Sequence, residues 1–294
     1  MPLTLDNFVQ DSSIGLVSLH GKAQGGGEKV IYKILNLRKD ISIVTYKNIL
    51  STNKIILFTA GIRDLPLMLV AIFFRKKFIS YIQVPFNEQY DNFSLLSFAL
   101  YFWKLIHILF SNKIYINSSN LLPLFPNKSQ ILFPVMLSEM SLFTPKISKK
   151  ISHFFFAGRF TKTKGIDAKN FDLYLELFKI AEEKLHNFKF HIYGEVDPEC
   201  MIILHRYISK KIVIVHGFKA DWFNDCANKT GVFLSNFEGF GLSVFEIRNK
   251  CKHLYISDAF PCELVSLLKN YSIVPLKWSP NQIFDFIFQP RKYG

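Results

Sequence analysis

The stretch "FLSNFEGFGLSVFEI", residues 233–247, holds the end of an apolar run, a loop with two glycines and a helix that begins near Leu242. Glu238 falls in the loop, whereas Glu246 falls in the first turns of the helix. A strand that passes through a short glycine-containing loop into a helix is typical of a parallel α/β sheet. The stretch therefore predicts that fold class, with Glu238 just beyond the carboxyl end of a strand.

The same alternation of strands and helices runs through the whole chain. Short β-branched or aromatic runs predict strands in the first half at 14–19, 41–46, 54–59, 78–84, 113–117 and 130–135. In the second half they predict strands at 153–158, 188–193, 211–215, 231–235, 253–257 and 271–275. Helix-length segments such as 168–186 separate the runs and keep a helical period of apolar residues. Parallel sheets covered by helices on both faces have this pattern.

A natural linker divides the two halves. Residues 138–152 lack clear periodicity and include Pro145 and three lysines. We therefore predict two Rossmann-like, doubly wound α/β domains, residues 1–145 and 146–294. Such domains bind ligands beyond the carboxyl ends of their strands, so we expect the two domains to face each other across a cleft.

The charge balance narrows the class of partner. The chain has 294 residues, 49% of them hydrophobic, and its 36 Lys and Arg against 23 Asp and Glu give a net charge of +13. A membrane surface, a nucleic acid or a phosphorylated ligand would suit that charge. The basic residues are scattered and form no basic tail, zinc-finger spacing or RNA-binding motif, so no nucleic-acid partner is predicted.

The four cysteines form no C-x-x-C pair, and the beginning of the sequence does not resemble a signal peptide. We therefore predict a cytoplasmic protein without a structural metal site. The segments 65–78 and 95–110 are apolar with basic residues, but Lys104 and His107 interrupt the second, which is too short to span a membrane. They are either interfacial segments on anionic lipid or ordinary helices that face a core, and the net charge favours the first.

The glycines of the opening stretch suggest a phosphate ligand. Gly239 and Gly241 let the backbone approach a ligand closely, and free N–H groups at the following helix attract phosphate. Glu246 can then accept hydrogen bonds from a ribose diol, while Glu238 faces the group attached beyond the phosphates. A solvent-facing turn is the alternative interpretation of this stretch.

In its E-G-F-G-L context, the pair Glu238 and Glu246 resembles the E-x7-E motif of retaining glycosyltransferases with the two-domain GT-B architecture, family 4 in particular. The resemblance implies that Glu238 approaches the donor sugar and has a catalytic role, and that Glu246 binds the nucleotide ribose. It also implies further donor-binding residues in the loop between them: Gly239, Phe240, Gly241 and Leu242.

The stretch "FFFAGRFTKTKGID", residues 154–167, resembles the strand and G-R-(x)n-K-G turn of the same family. The resemblance implies that Arg159 and Lys164, with Gly158 before them, hold the donor diphosphate during catalysis. Two cations would replace the metal ion that other sugar transferases use, and the chain has no D-x-D motif.

Other segments also resemble the family, with residues 255–265 as weaker evidence. "KIVIVHGF", residues 211–218, resembles the strand before the loop that frames the nucleotide base, which implies a role for the backbone of Gly217 and Phe218. "YISDAFPCELV", residues 255–265, resembles an acidic segment of the family through Glu263. "GKAQGGGEKVIYKIL", residues 21–35, resembles the glycine-rich loop that reaches the donor phosphate or the acceptor, through these residues: Gly25, Gly26 and Gly27.

The resemblance implies a metal-independent, retaining hexosyltransferase of bacterial surface polysaccharide or lipopolysaccharide biosynthesis. Its donor substrate would be a nucleotide diphosphate sugar, its acceptor a glycan or a lipid-linked glycan, and it would need no cofactor. Its expected location is the cytoplasm or the cytoplasmic face of a membrane, as a peripheral protein. The family often has a histidine where this chain has Gln83, so a non-catalytic relative that binds nucleotide sugars or glycans is the alternative.

Overall fold

The computed structural model describes residues 3–19, 26–59, 61–83, 95–125, 129–136, 153–161, 167–185, 188–219, 221–227 and 229–289. Contacts between residues divide the chain into two compact units, Met1–Ser141 and Leu142–Gly294. The predicted linker and the predicted boundary at residue 145 lie outside the described residues.

The first unit is built on one parallel sheet. Its strands are β1 (Leu3–Thr4), β2 (Ile14–Val17), β3 (Ser42–Ile43), β4 (Ile55–Phe58), β5 (Phe78–Ile82), β6 (Lys113–Ile116) and β7 (Ser129–Phe133). Its helices are α1 (Leu5–Gln10), α2 (Gly26–Leu37), α3 (Tyr46–Ser51), α4 (Leu65–Phe73) and α5 (Leu95–Phe110), with 3-10 turns at Gly61–Asp64 and Ser119–Leu124. The strand order is β1-β7-β6-β5-β4-β2-β3, and every pairing is parallel.

Crossover handedness decides which face of this sheet each helix covers. Connections between parallel strands are right-handed, so consecutive crossovers in one direction put their helices on the same face. The chain moves in one direction from β4 to β5 to β6, which puts α4 and α5 side by side. Helix α3 packs against α4 on that face, and α1 packs against α2. A single apolar core under α4 and α5 includes Met68, Trp103 and Ile106.

The second unit has the strand order of the Rossmann fold. Its strands are β8 (His153–Ala157), β9 (Lys189–Tyr193), β10 (Val213–Gly217), β11 (Thr230–Phe233), β12 (His253–Ser257) and β13 (Tyr271–Val274). Its helices are α6 (Phe171–Lys184), α7 (Pro198–Ser209), α8 (Trp222–Asp225), α9 (Leu242–Ile247), α10 (Cys262–Val265) and α11 (Pro280–Phe288). The order β10-β9-β8-β11-β12-β13 is entirely parallel and reverses direction between β8 and β11.

The sequence pattern predicts these elements well. Each predicted strand is present, with bounds that differ by at most three residues, and the predicted helix 168–186 is α6. Strand β1 is not predicted, because its two residues are too few to establish a period.

Three histidines form a row across neighbouring strands of the second unit. His191 on β9 lies between His153 on β8, with 3.3 Å between their Nδ1 and Nε2 atoms, and His216 on β10, at 2.9 Å. Burial lowers the pKa of all three histidines, that of His191 to about 4, and the nearby Lys229 lowers them further. The row is therefore neutral at pH 7.

We predict that acid destabilises the second unit through this row. The folded-state pKa of His191 lies below the ordinary value of 6.5, so below pH 6.5 the unfolded chain binds more protons. The free energy of unfolding should then fall as the pH drops from about 6.5 towards 4. His191→Gln should weaken this dependence when urea unfolding is compared at pH 7 and pH 5. His205→Gln, at an exposed position of α7, is the control, and equal acid sensitivity of both variants would contradict the prediction.

Candidate functional site

The loops after β8 and β11 meet at the point where the strand order reverses. The backbone N–H groups of Asn236 and Phe237 donate to the carbonyl oxygen of Ala168, at 3.0 and 3.3 Å. The side-chain amide of Asn236 also donates to the carbonyl oxygen of Asp167, at 2.8 Å. Since the strands are parallel, both loops leave the same edge of the sheet, which is the ligand-binding edge of Rossmann folds.

Tyr174 of α6 fixes the beginning of the second loop. Its buried hydroxyl donates to the carbonyl oxygen of Val232 at 2.7 Å and accepts a hydrogen bond from the N–H of Leu234 at 3.0 Å. Burial raises the pKa of Tyr174, so the hydroxyl keeps its proton. The carboxylate of Asp167 accepts hydrogen bonds from the N–H groups of Phe171 (2.6 Å) and Asp172 and so caps α6. Helix and loop are therefore held to each other.

Glu238 lies in the loop after β11, as the sequence predicts, and it is held by two neighbours. Ser235 donates from Oγ to Oε1 of Glu238 at 2.9 Å, and the ammonium group of Lys169 forms an ion pair with the same oxygen. The side chains of Lys169 and Glu238 are 25% and 13% exposed, so solvent screens this pair only partly. The carboxylate is thus oriented and its charge is balanced.

Sequence analysis missed Lys169. It follows the predicted phosphate-binding turn and precedes α6, but it is 69 positions from Glu238 in the chain. The sequence does place this basic residue in the loop after β8. Loops at the carboxyl edge of one sheet converge, so this position was the available signal for a contact with Glu238.

Gly241 begins α9 in a conformation that favours glycine. Its φ is +83°, and a Cβ at this position would come within 2.7 Å of the ring of Phe260. Glu246 lies on α9 and is half-buried, and Phe240 is buried. Gly239 lies in the loop before Phe240, and Leu242 is the first residue of α9. Glu238 thus lies in the loop and Glu246 on the helix, as the sequence predicts.

The turn after β8 carries Gly158 and Arg159. The N–H of Gly158 donates to the carbonyl oxygen of Tyr193 at 2.8 Å. Arg159 forms a 2.8 Å ion pair with Glu195, and both side chains are more than half exposed. Such an exposed pair contributes little to stability, so its guanidinium group can exchange partners at low cost. Lys164 lies outside the described residues.

The ends of β9 and β10 complete this edge of the sheet. Gly194 has φ of +125°, and a Cβ there would overlap the carbonyl oxygen of Gly158. Its N–H donates to the carbonyl oxygen of Gly217 at 2.8 Å. Gly217 has open space around it, with φ of +66°, and Phe218 is exposed. The structure therefore brings the predicted Gly217 and Phe218 to the same edge as Arg159 and Glu238.

The predicted glycine-rich loop of the first unit needs a correction. Gly26 and Gly27 are the first residues of α2 and not part of a loop, while Gly25 lies outside the described residues. The first four N–H groups of a helix have no intrahelical partner, and those of Gly26 and Gly27 are among them.

Gln83 lies at the end of β5 and is buried. Asn117, after β6, donates from its side-chain amide to the carbonyl oxygen of Gln83 at 2.8 Å. Three buried polar atoms here have no hydrogen-bond partner among the described residues: Nε2 of Gln83, Oδ1 of Asn117 and Oγ of Ser118. Buried groups of this kind are normally satisfied, so the carboxyl edge of the first sheet has unused hydrogen-bonding capacity.

No protein-family model and no curated protein sequence matches the chain. Solved structures do match it over most of its length. Anabaena HepE, crystallised with UDP and glucose, has a TM-score of 0.67 at 13% identity, and the match covers 95% of this chain and 90% of that chain. The lipopolysaccharide outer core galactosyltransferase WaaB, in its apo form, has a TM-score of 0.58 at 14% identity and covers 93% and 87%.

A third similar structure is S. aureus TarM, crystallised with UDP among other ligands, with a TM-score of 0.60 at 17% identity. That match covers 80% of this chain and 48% of TarM. At such low identity the likeness establishes the fold. The chain is an α/β protein with the GT-B fold of two Rossmann-like domains, which confirms the predicted fold class.

We predict that Lys169→Met lowers the free energy of unfolding by about 1–3 kcal/mol, because a partly buried carboxylate loses its cation. Glu238→Gln in the same chain should recover part of this loss, since no uncompensated charge then remains. Urea unfolding of the two single variants and the double variant measures the coupling. Lys179→Met, at an exposed position of α6, is the control and should change stability by less than about 0.5 kcal/mol. Additive effects of the two substitutions would contradict the ion pair.

Proposed function

We propose that the chain is a glycosyltransferase that moves a hexose from a nucleotide diphosphate sugar to a hydroxyl of a glycan or lipid-linked acceptor. The proposal includes retention of the anomeric configuration, metal independence and a role in bacterial surface polysaccharide biosynthesis at the cytoplasmic face of a membrane. The observation that carries it is Glu238, held by Lys169 and Ser235 at the reversal point of a Rossmann sheet. Similar structures crystallised with UDP support a nucleotide-sugar donor.

Positive charge around the loops after β8 and β11 supports phosphate binding. Arg159 is exposed and only weakly engaged by Glu195, so a diphosphate could compete for its guanidinium group. We propose that Arg159 and Lys164 stabilise the charge that develops on the departing diphosphate, in the role that a metal ion has in other sugar transferases. Cations that are already oriented lower the barrier because they need no reorganisation during the reaction.

We assign different roles to the two glutamates. Glu238 would orient the sugar and stabilise positive charge at its anomeric carbon, and Lys169 would hold the carboxylate in position. Glu246 on α9 would accept hydrogen bonds from the ribose diol, with the backbone of Gly239 to Leu242 beside the donor. Gly217 and Phe218 would frame the nucleotide base at the end of β10.

The first unit offers groups suited to an acceptor hydroxyl. A hydroxyl both donates and accepts hydrogen bonds, and the atoms of Gln83, Asn117 and Ser118 that lack a partner in the described part of the chain include donors and acceptors. We propose that an acceptor sugar uses this capacity, which would give Gln83 a binding role where the resembling family often has histidine.

The first test separates the roles of the two glutamates. Glu246→Gln should weaken binding of both the nucleotide sugar and the free diphosphate by about tenfold, since a charged acceptor for the diol becomes neutral. Glu238→Gln should leave affinity for the free diphosphate unchanged but lower the transfer rate by at least about tenfold, as expected for a contact that strengthens in the transition state.

Calorimetry with UDP and GDP, together with transfer and donor-hydrolysis rates, measures both effects. A wild-type transfer rate in Glu238→Gln would refute its catalytic role. Binding of a nucleotide diphosphate without sugar release, across a panel of donors, would favour the non-catalytic relative instead.

The second test concerns the diphosphate. Arg159→Ala should weaken binding of a nucleoside diphosphate by about tenfold while leaving the nucleoside unaffected, because a charge-assisted contact to phosphate is lost. Arg206→Ala is a matched control, since the Arg206 side chain is as exposed as that of Arg159 and also forms an ion pair, with Glu182 of α6. If Arg159→Ala weakens nucleoside and diphosphate equally, Arg159 does not hold the phosphates.

A further inference from the structure

Helix α5 is apolar on the face that it exposes to solvent. Its exposed apolar residues include Phe98, Tyr101, Phe102, Leu105 and Leu109. With about 100° between successive residues, these five positions fall within an arc of about 100° on one side of the helix. Helices on the surface of a soluble protein usually have polar residues on that side. The outer face of α5 is therefore unusual and continuous.

The inner face of α5 is anchored, so the outer face cannot turn inwards. Trp103 and His107 are each 1% exposed and pack edge to face, with 4.0 Å between their ring centres. The Nδ1 atom of His107 also makes a hydrogen bond with Oγ of Ser80 on β5. Burial lowers the pKa of His107 to about 3, so the imidazole is neutral inside the unit.

Helix α4 extends the exposed apolar surface. Crossover handedness puts α4 beside α5 on the same face of the sheet. Phe73, at the end of α4, is 81% exposed, and Leu69 and Phe74 are exposed beside it in the chain. We define the apolar ridge as eight exposed apolar residues on α4, directly after it and on α5: Leu69, Phe73, Phe74, Phe98, Tyr101, Phe102, Leu105 and Leu109.

The described segments that carry the apolar ridge have charges of one sign only. Residues 65–83 and 95–125 contain no Asp or Glu. They contain five cationic residues on or beside α4, α5 and β6: Arg75, Lys76, Lys77, Lys104 and Lys113. Lys76 donates to the carbonyl oxygen of Thr52 at 2.8 Å, whereas Arg75, Lys77 and Lys113 are exposed. An occupant of this surface must therefore be apolar in its interior and anionic at its edge.

We infer that the apolar ridge binds the surface of an anionic membrane. Its aromatic and leucine side chains would enter the boundary of the acyl chains, and the Lys and Arg side chains would lie at the level of the phosphate headgroups. A second copy of the chain is a poorer occupant, because two ridges in contact would bring ten cationic residues together. No helix in the described part of the chain is long and apolar enough to cross a membrane.

An anionic membrane would be a further partner of the proposed transferase. The biological role of this binding rests on the proposed function, since a lipid-linked acceptor is reached from the membrane surface. Its test needs no transferase activity. A protein without nucleotide-sugar activity could still bind vesicles, so the two proposals can fail separately.

The experiment is co-sedimentation of the full chain with phosphatidylcholine vesicles, with and without about 30% phosphatidylglycerol. We expect binding to the anionic vesicles that is at least about tenfold tighter than to phosphatidylcholine alone and that weakens at high salt. The double variant Phe98→Ser and Tyr101→Ser should lose at least about tenfold in affinity, because two apolar side chains no longer enter the lipid. The charge variant Lys104→Glu and Lys113→Glu should lose the preference for anionic vesicles.

The matched control is Ile202→Ser on α7 of the second unit, where the isoleucine is as exposed as the residues of the ridge but lies outside the ridge and one turn after Glu199. It should bind vesicles like the wild type, and melting temperatures should confirm that all variants are folded. Equal binding of the ridge variants and the wild type would overturn the inference, as would a wild type that binds neither vesicle. A dimer in solution that the ridge variants lose would assign the surface to a second copy instead.

Discussion

The candidate site depends on the constraint that parallel strands end at one edge of their sheet. In the second unit this brings the loop after β8 against the loop after β11, where the strand order reverses. The hydroxyl of Tyr174 fixes the contact, since it bonds both Val232 and Leu234 at the start of the second loop. Backbone hydrogen bonds from Asn236 and Phe237 to Ala168 then hold the two loops together. Glu238 takes its position from this scaffold, together with its contacts to Ser235 and Lys169.

The two ion pairs beside that scaffold differ in how far they are buried. Lys169 and Glu238 are mostly shielded from solvent, so their attraction is strong and each depends on the other. Arg159 and Glu195 are mostly exposed, so their pair is weak and either partner can be taken over by a ligand. The same edge of one sheet thus combines a carboxylate that is held in place with a guanidinium group that is available.

The chain has 31 phenylalanines, and those in its described part have two main environments. In the second unit many of them build the core beneath the site, where the rings of Phe156 and Phe160 stack with 4.4 Å between their centres. In the first unit several are exposed, among them Phe73 and Phe98 on neighbouring helices. A residue type that looks like compositional bias in the sequence therefore both supports the candidate site and forms a candidate membrane surface.

The sequence by itself determined the order of strands and helices and the α/β class. It also determined that Glu238 lies in a loop and Glu246 on a helix. All of these properties depend on the periodicity of neighbouring residues. The tertiary structure alone decided what lies far apart in the chain but close in space. Lys169 meets Glu238 across 69 positions, and His153, His191 and His216 meet only because β8, β9 and β10 are adjacent. The sequence also did not determine which side of α5 faces solvent. The helix is apolar on both sides, and only the packing of Trp103 and His107 selects the buried one. Local patterns carry no information about strand order or about which of two similar faces is covered, and these depend on the folded sheet as a whole.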